Sequence, residues 1–111
     1  MNIAEIKNDW ERFRAYKKFG FTKEAMQDED WMIRLRAYKT FGFTKEAMND
    51  KYWLIRLKAY ENLGYTKEAM QDESATIRFN AYETFGFTKE ALEDEDWEIR
   101  CRAERYFKNK K

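Results

Sequence analysis

Arg12, Arg34, Arg56, Arg78 and Arg100 stand 22 positions apart, and Asp28, Asp50, Asp72 and Asp94 keep the same interval. A guanidinium presents five donors in a planar fork, and a carboxylate accepts two of them in parallel. Two chemistries follow from such rows: a ladder of arginine–carboxylate pairs that ties corners together, or a row of arginines that grips phosphates. Arg34 falls beside Ala37 and Tyr38 on the apolar side of a helical wheel, which favours the ladder, because a buried arginine needs an acceptor. The single cysteine, Cys101, holds the position of Leu35 and Leu57 in neighbouring units and reads as a small core residue rather than a nucleophile. The chain has no histidine, no glycine-rich phosphate loop and no cluster with metal-ligand spacing. Acidic pairs such as Asp28/Asp30 recur in successive units, as corner capping predicts and a single active site does not. A non-catalytic protein without metal or cofactor is expected.

The 111 residues fit one domain, 1–111. Aromatic residues make up 18%, enough for a core, and charged residues 39%, typical of a helical protein with a large exposed area. Lys plus Arg is 22 against 21 Asp plus Glu, so the net charge of +1 gives no overall field toward nucleic acid or an anionic membrane. One cysteine forms no internal disulfide, which suits a reducing, cytoplasmic location. No apolar run approaches the ~20 residues a membrane span needs. The opening MNIAEIKNDW lacks the apolar stretch of a signal peptide.

The elements that position these residues come from repetition. The phrase FGFTKEAM stands at 19–26 and 41–48, as LGYTKEAM at 63–70 and as FGFTKEAL at 85–92. Units run 20–41, 42–63, 64–85 and 86–107; residues 1–19 form a capping half-repeat and 108–111 a tail. Each unit predicts a short helix, a corner and a longer helix. From Trp31, Ile33, Ala37 and Phe41 at i, i+4, i+8 cover one broad side with Leu35 and Tyr38. Asp30, Ser74 and Asp96 suit helix N-caps, whereas Tyr52 calls for a different cap, with Asp50 the candidate. Within the phrase, Gly42 is placed for a left-handed helix stop and Thr44 for the next N-cap. Phe43 and Met48 are placed for a hydrophobic staple. Four short and five long helices are expected. The first long one carries Ile3, Ile6, Trp10 and Phe13 as a stripe.

The run Asp28-Glu29-Asp30-Trp31-Met32-Ile33-Arg34, followed by Ala37, resembles the second-helix signature of HEAT-like repeats. With the Thr-x-Glu-Ala-Met segment ahead of it, the unit is closer still to the leucine-rich-repeat variant, an α-helical repeat. The resemblance covers residues 8–107, with a shorter unit and without that family's prolines. Cysteines that accompany some such domains have no counterpart, so no iron–sulfur cluster is implied. The resemblance implies a right-handed α-solenoid of about 4.5 helix-turn-helix repeats of 22 residues, with the longer helices lining the inner surface and a role in binding. It implies no particular ligand.

Where packing holds the invariant positions, function belongs to exposed positions that vary. One column of the long helices reads Trp10, Met32, Leu54, Thr76, Glu98; the next reads Arg14, Arg36, Lys58, Asn80, Arg102. A third reads Lys17, Lys39, Glu61, Glu83, Arg105. Trp10, Met32 and Leu54 beside Arg14, Arg36 and Lys58 make a candidate stripe for a segment of another protein. The bland alternative has Trp10 capping the core while Met32 and Leu54 touch nearby short helices. Nucleic-acid binding through Arg14, Arg36, Lys17 and Lys39 is the second functional reading, opposed by Glu61 and Glu83. Trp31, Trp53 and Trp97 are expected in packing between units. Lys23, Lys45, Lys67 and Lys89 are expected as a solvated row, and Ala75, Thr76 and Asn80 mark a candidate notch. Glu11 and Glu104 replace apolar residues of their columns, as capping of a complete small protein predicts. The protein is expected as a monomer or a weak homodimer associating through Trp10.

Overall fold

A computed structural model of the chain describes residues 2–109. Among the described residues every regular element is helical, and no strand forms. The α-helices are α1 (Asp9–Phe19), α2 (Trp31–Phe41), α3 (Trp53–Leu63), α4 (Thr66–Met70), α5 (Ala75–Phe85) and α6 (Trp97–Lys108). Ile3–Glu5, Lys23–Gln27, Lys45–Asn49 and Lys89–Glu93 are 3-10 helices. The all-α expectation holds. Three of the four expected short helices are 3-10, and the fourth, α4, is α-helical at the same length of five residues. An i→i+3 bond closes sooner than an α-helical one; Ala47 N–H donates to Thr44 O at 3.0 Å and Asp50 N–H to Ala47 O at 3.2 Å.

The helix starts are capped much as expected. Asp30 accepts from the Met32 and Ile33 amides, Asp96 from Glu98 and Ile99, and Ser74 from Ile77. At the odd corner, Asp50 Oδ1 accepts from the Tyr52 amide at 2.9 Å. Tyr52 itself stacks on Trp31, with centroids 4.3 Å apart. The threonines do not cap: Thr22, Thr44 and Thr88 make no side-chain cap bond, and Thr66 lies inside α4. Thr22 stands beside the Tyr16 hydroxyl and Thr44 beside that of Tyr38. Burial, the largest cause, pushes both tyrosine pKa values up, and the neighbouring threonine and the charge of Arg12 or Arg34 partly offset it. Gly42 lies at φ 106 and ψ 144, outside the left-handed helical basin but in a region that side-chain-bearing residues avoid. That sharper turn sends Phe43 back across its own helix, where its ring stacks on Tyr38 at 5.6 Å.

The chain falls into two packing units, Met1–Leu63 and Gly64–Lys111. In both, a short element packs on the long helix that follows it. In the first unit, Phe13, Tyr16, Ala25, Ile33 and Ala37 are buried together, and Tyr38, Ala47, Ile55 and Ala59 form a second cluster. The second unit buries Tyr82, Ala91, Ile99 and Ala103. The alanine of each phrase is buried because a larger side chain would hold the short element away from its helix. Ile3 and Ile6 depart from the expected stripe: they precede α1, which starts only at Asp9 after Asn8 caps it.

The arginine and aspartate rows meet as a ladder within the units. Arg34 donates from Nε to Asp50 Oδ2 at 2.9 Å and from Nη2 to Asp50 Oδ1 at 3.0 Å. Its Nη1 donates to the Asp28 and Glu29 carbonyls at 2.8 and 3.0 Å. Arg12 repeats this with Asp28 and the carbonyls of Ile6 and Lys7, and Arg78 with Asp94 and those of Asp72 and Glu73. One arginine thus ties the corner before its own helix to the corner after it. Replacing Asp50 by Ala strands a buried guanidinium and is expected to cost about 3–5 kcal/mol, read as a fall in the urea midpoint. Glu46→Ala, on the exposed side of the same corner, should move it little.

Burial pushes the Asp94 carboxyl pKa up, but the bonds from Arg78 and the Asp96 amide, with the charges of Arg78 and Arg100, bring it below its ordinary value. A depressed carboxylate stabilises the fold above its unfolded pKa, and that contribution disappears as pH falls through the folded value. Stability should therefore drop on acidification below about pH 4. Asp94→Asn should lower stability at neutral pH and flatten that acid limb in urea titrations at successive pH values.

Candidate binding surface

Trp10 is the centre of the exposed apolar surface on the first unit. It is 63% exposed, and its ring lies parallel to that of Phe13, a member of the core, with centroids 5.9 Å apart. Phe13 is itself buried, and two cations sit over its ring: Lys17 Nζ at 5.8 Å and the Arg36 guanidinium carbon at 5.7 Å. Asp9, Trp10, Phe13, Asp30 and Met32 line a shallow depression of about 160 Å³. The aromatic floor is therefore rimmed by both signs of charge, and α1 and α2 both contribute.

The candidate residues separate into groups. Trp10, Met32 and Arg36 converge around Phe13. Arg14 is exposed on another flank of α1, where it lines a depression with Glu11, Ala15 and Lys18. Leu54 is half-buried, so the expected apolar stripe weakens there. Lys58 is half-buried and pairs with Glu61 at 3.8 Å. The nucleic-acid set divides too, with Lys17 and Arg36 over Phe13, Arg14 on its other flank and Lys39 in the last turn of α2. In the second unit Arg102 covers Phe79 at 5.4 Å but is held by Glu83 at 3.1 Å. Arg36 makes no such ion pair among the described residues. Residues 1–63 carry 13 Lys and Arg against 10 Asp and Glu, whereas 64–111 carry 9 against 11, so the basic surplus lies on the unit that carries Trp10.

Several expectations are corrected by exposure. Phe41 is 43% exposed rather than packed, and Phe19 and Phe85 in the same column are 73% and 59% exposed. Each lies on the last turn of its helix, where the chain turns away at the following glycine and leaves the ring exposed, with Lys18 Nζ over that of Phe19 at 5.3 Å. Burial therefore gives no reason for phenylalanine at this column; internal repetition was the only signal marking it. Trp31 is half-buried against Tyr52, but Trp53 and Trp97 are exposed. Cys101 is exposed, although Leu35 at the same position packs into the cluster of Ala47 and Ile55. The difference is that Leu35 has a following corner over it, and α6 is the last element described. The lysine row is exposed as expected. At the candidate notch Thr76 and Asn80 are exposed, while Ala75 packs on the Ile99 cluster.

Among the described residues no group of acidic, cysteine or histidine side chains could hold a metal ion, and no helix is long and apolar enough to cross a membrane. No known protein family, curated protein or solved structure matches the chain. The exposed Cys101 thiol should be alkylated by iodoacetamide in the native protein at about the rate of a free thiol. Mass spectrometry with and without denaturant measures this, and a rate that rises only on unfolding would contradict the placement.

Proposed function

We propose that the chain is a HEAT-like helical repeat protein, a right-handed α-solenoid of about 4.5 units of 22 residues, that works without catalysis by binding another protein. The contact surface is the face of the long helices centred on Trp10, Met32 and Arg36, with Arg14, Leu54 and Lys58 at its margins. The observation that carries this reading is the stack of Trp10 on Phe13, 63% exposed and flanked by Arg36 and Lys17. Tryptophan and arginine dominate binding energy where a partner excludes water from them. Arg36 and Lys17 suit acidic side chains and Asp9 and Asp30 basic ones, so the fitting segment pairs apolar anchors with charges of both signs, and the role is that of an adaptor or an inhibitor in the cytoplasm.

Affinity capture from the source cell with Met32→Asp plus Leu54→Asp, and separately with Trp10→Ala, tests it. Loss of the same captured protein in both variants supports the face; an unchanged set of partners removes it. Salt separates the nucleic-acid alternative. Four phosphate contacts from Arg14, Arg36, Lys17 and Lys39 would weaken binding about a hundredfold between 50 and 200 mM salt, whereas an apolar anchor should hold.

A further inference from the structure

Every arginine of the ladder described above is set from behind by backbone carbonyls just ahead of its own helix. Arg100 keeps this device, donating from Nη1 to Asp94 O at 2.6 Å. So aimed, Arg12, Arg34 and Arg78 each hold a carboxylate 16 residues further on, with Nε and Nη2 at 2.9–3.0 Å from its oxygens. Among the described residues no carboxylate reaches Nε or Nη2 of Arg100. Two further positions on α6 are left in the same condition. Trp31 stacks on the ring of Tyr52, two residues after Asp50, whereas Trp97 at the matching place is 68% exposed. Leu35 packs with Ala47 of the following corner, whereas Cys101 is exposed. Fork, indole and small side chain are thus presented together on the side of α6 that corresponds to the one by which α2 receives its next corner.

We propose that this side of α6 docks an Asp-x-aromatic segment at a helix start of a partner protein, its carboxylate seated in the Arg100 fork and its ring stacked on Trp97. The occupant's chemistry is copied from Asp50-Lys51-Tyr52, which makes both contacts to Arg34 and Trp31. A second copy of this chain fits poorly. Asp28, Asp50 and Asp94 are already held by arginines of their own chain, and ahead of α1 the corresponding place is taken by Ile6. Arg105 and Lys108 in the last turn of α6 add positive charge, against the carboxylate of Glu104, which stands at the place of Tyr38.

The test uses the full chain and a synthetic peptide with the sequence of residues 43–63, which carries Asp50 and Tyr52. Fluorescence anisotropy of the labelled peptide should show saturable binding, and iodoacetamide should modify Cys101 several-fold more slowly in the complex. The Asp50→Asn peptide should bind at least about tenfold more weakly. Arg100→Gln and Arg100→Lys proteins should lose the same factor, since lysine keeps the charge and not the fork. Should Arg100→Gln lose helicity by circular dichroism, the Asp50→Asn peptide on the unaltered chain still decides. Met32→Asp should leave peptide binding unchanged, which keeps this site distinct from the face around Trp10. Equal affinity of the Asp and Asn peptides, binding that leaves Cys101 at its free rate, or no binding at about millimolar peptide overturns the proposal. So does protection of Cys101 that depends on the chain's own concentration, which would make a second copy the occupant.

Discussion

A buried guanidinium must place all five donors, and the corners of this fold are built around that requirement. Arg12 spends every donor: two on Asp28, one on Asp9 and two on the carbonyls of Ile6 and Lys7. The aspartate is used twice as well, because Asp28 Oδ1 also accepts from the Asp30 amide at 2.9 Å and so shapes the turn ahead of the next helix. A pair of this kind is costly to desolvate and strongly destabilising to break, while its net contribution against an apolar pair is small. Its main effect here is on register. The carbonyls lie five and six residues before the arginine and the carboxylate 16 after it, and these separations are the same for Arg12, Arg34 and Arg78. An insertion between any of the three points would leave donors or acceptors buried without partners, so the unit length is held at 22 residues by hydrogen bonding rather than by the volume of the core.

The constancy of FGFTKEAM follows from the same corner, residue by residue, but for varied reasons. Glycine is required by a backbone angle, φ 106 at Gly42, and not by crowding, since nothing stands within 4 Å of where its Cβ would be. The second phenylalanine lies flat on the tyrosine of the helix just ended, an arrangement shared by Phe21 on Tyr16, Phe43 on Tyr38 and Phe87 on Tyr82. Threonine stands beside that tyrosine's hydroxyl at Tyr16 and Tyr38. Alanine gives close approach, and methionine fills the space left beside it. Lysine and glutamate face water. Only the first phenylalanine stays outside this account, repeated yet largely exposed at Phe19, Phe41 and Phe85.

Much of this was legible from spacing. A row of arginines and a row of aspartates with one shared interval, on the apolar side of a helix, admit few arrangements, and the ladder is what formed. Asp30, Asp96 and Ser74 at helix starts were legible because capping is a local matter of one oxygen and the nearest amides, whereas Asp50 offers the amides after it only the turn bond that Asp28, Asp72 and Asp94 also make. The failures share a cause. A helical wheel treats a helix as an endless cylinder, so Phe41 and Cys101 were placed with the core because their angular positions match it. What covers a side chain depends on the element beyond, and Phe41 sits where the chain leaves while Cys101 sits on the last described helix. Threonine is a separate matter: Thr22, Thr44 and Thr88 stand at the N-cap position in extended backbone, yet none of their hydroxyls bonds the amides that follow. The face around Trp10 was legible in part, since Trp10, Met32 and Arg36 meet at Phe13 while Arg14 and Lys58 do not join them.

A fold held in register by corner pairs has a consequence for where binding can evolve. Substitutions at the corners carry a large penalty, so the arginines, aspartates and phrase residues stay nearly constant from unit to unit. The exposed positions of the long helices answer to no such constraint, and there the units diverge, from Trp10 to Met32 to Thr76 to Glu98 along a single column. The basic surplus on residues 1–63 arises in these free positions, whereas the acidic surplus on 64–111 lies at the corners, where Asp72, Glu73 and the acidic run 93–96 stand. The ladder is also directional, because each arginine reaches forward to an aspartate. Ile6 removes the acceptor ahead of α1, where no described arginine precedes it, while Arg100 retains its donors beyond the last described corner. Among the described residues the acceptor place ahead of α1 is thus closed by substitution, while the Arg100 fork keeps donors that no described carboxylate takes, so the same device meets different chemistry in the two units.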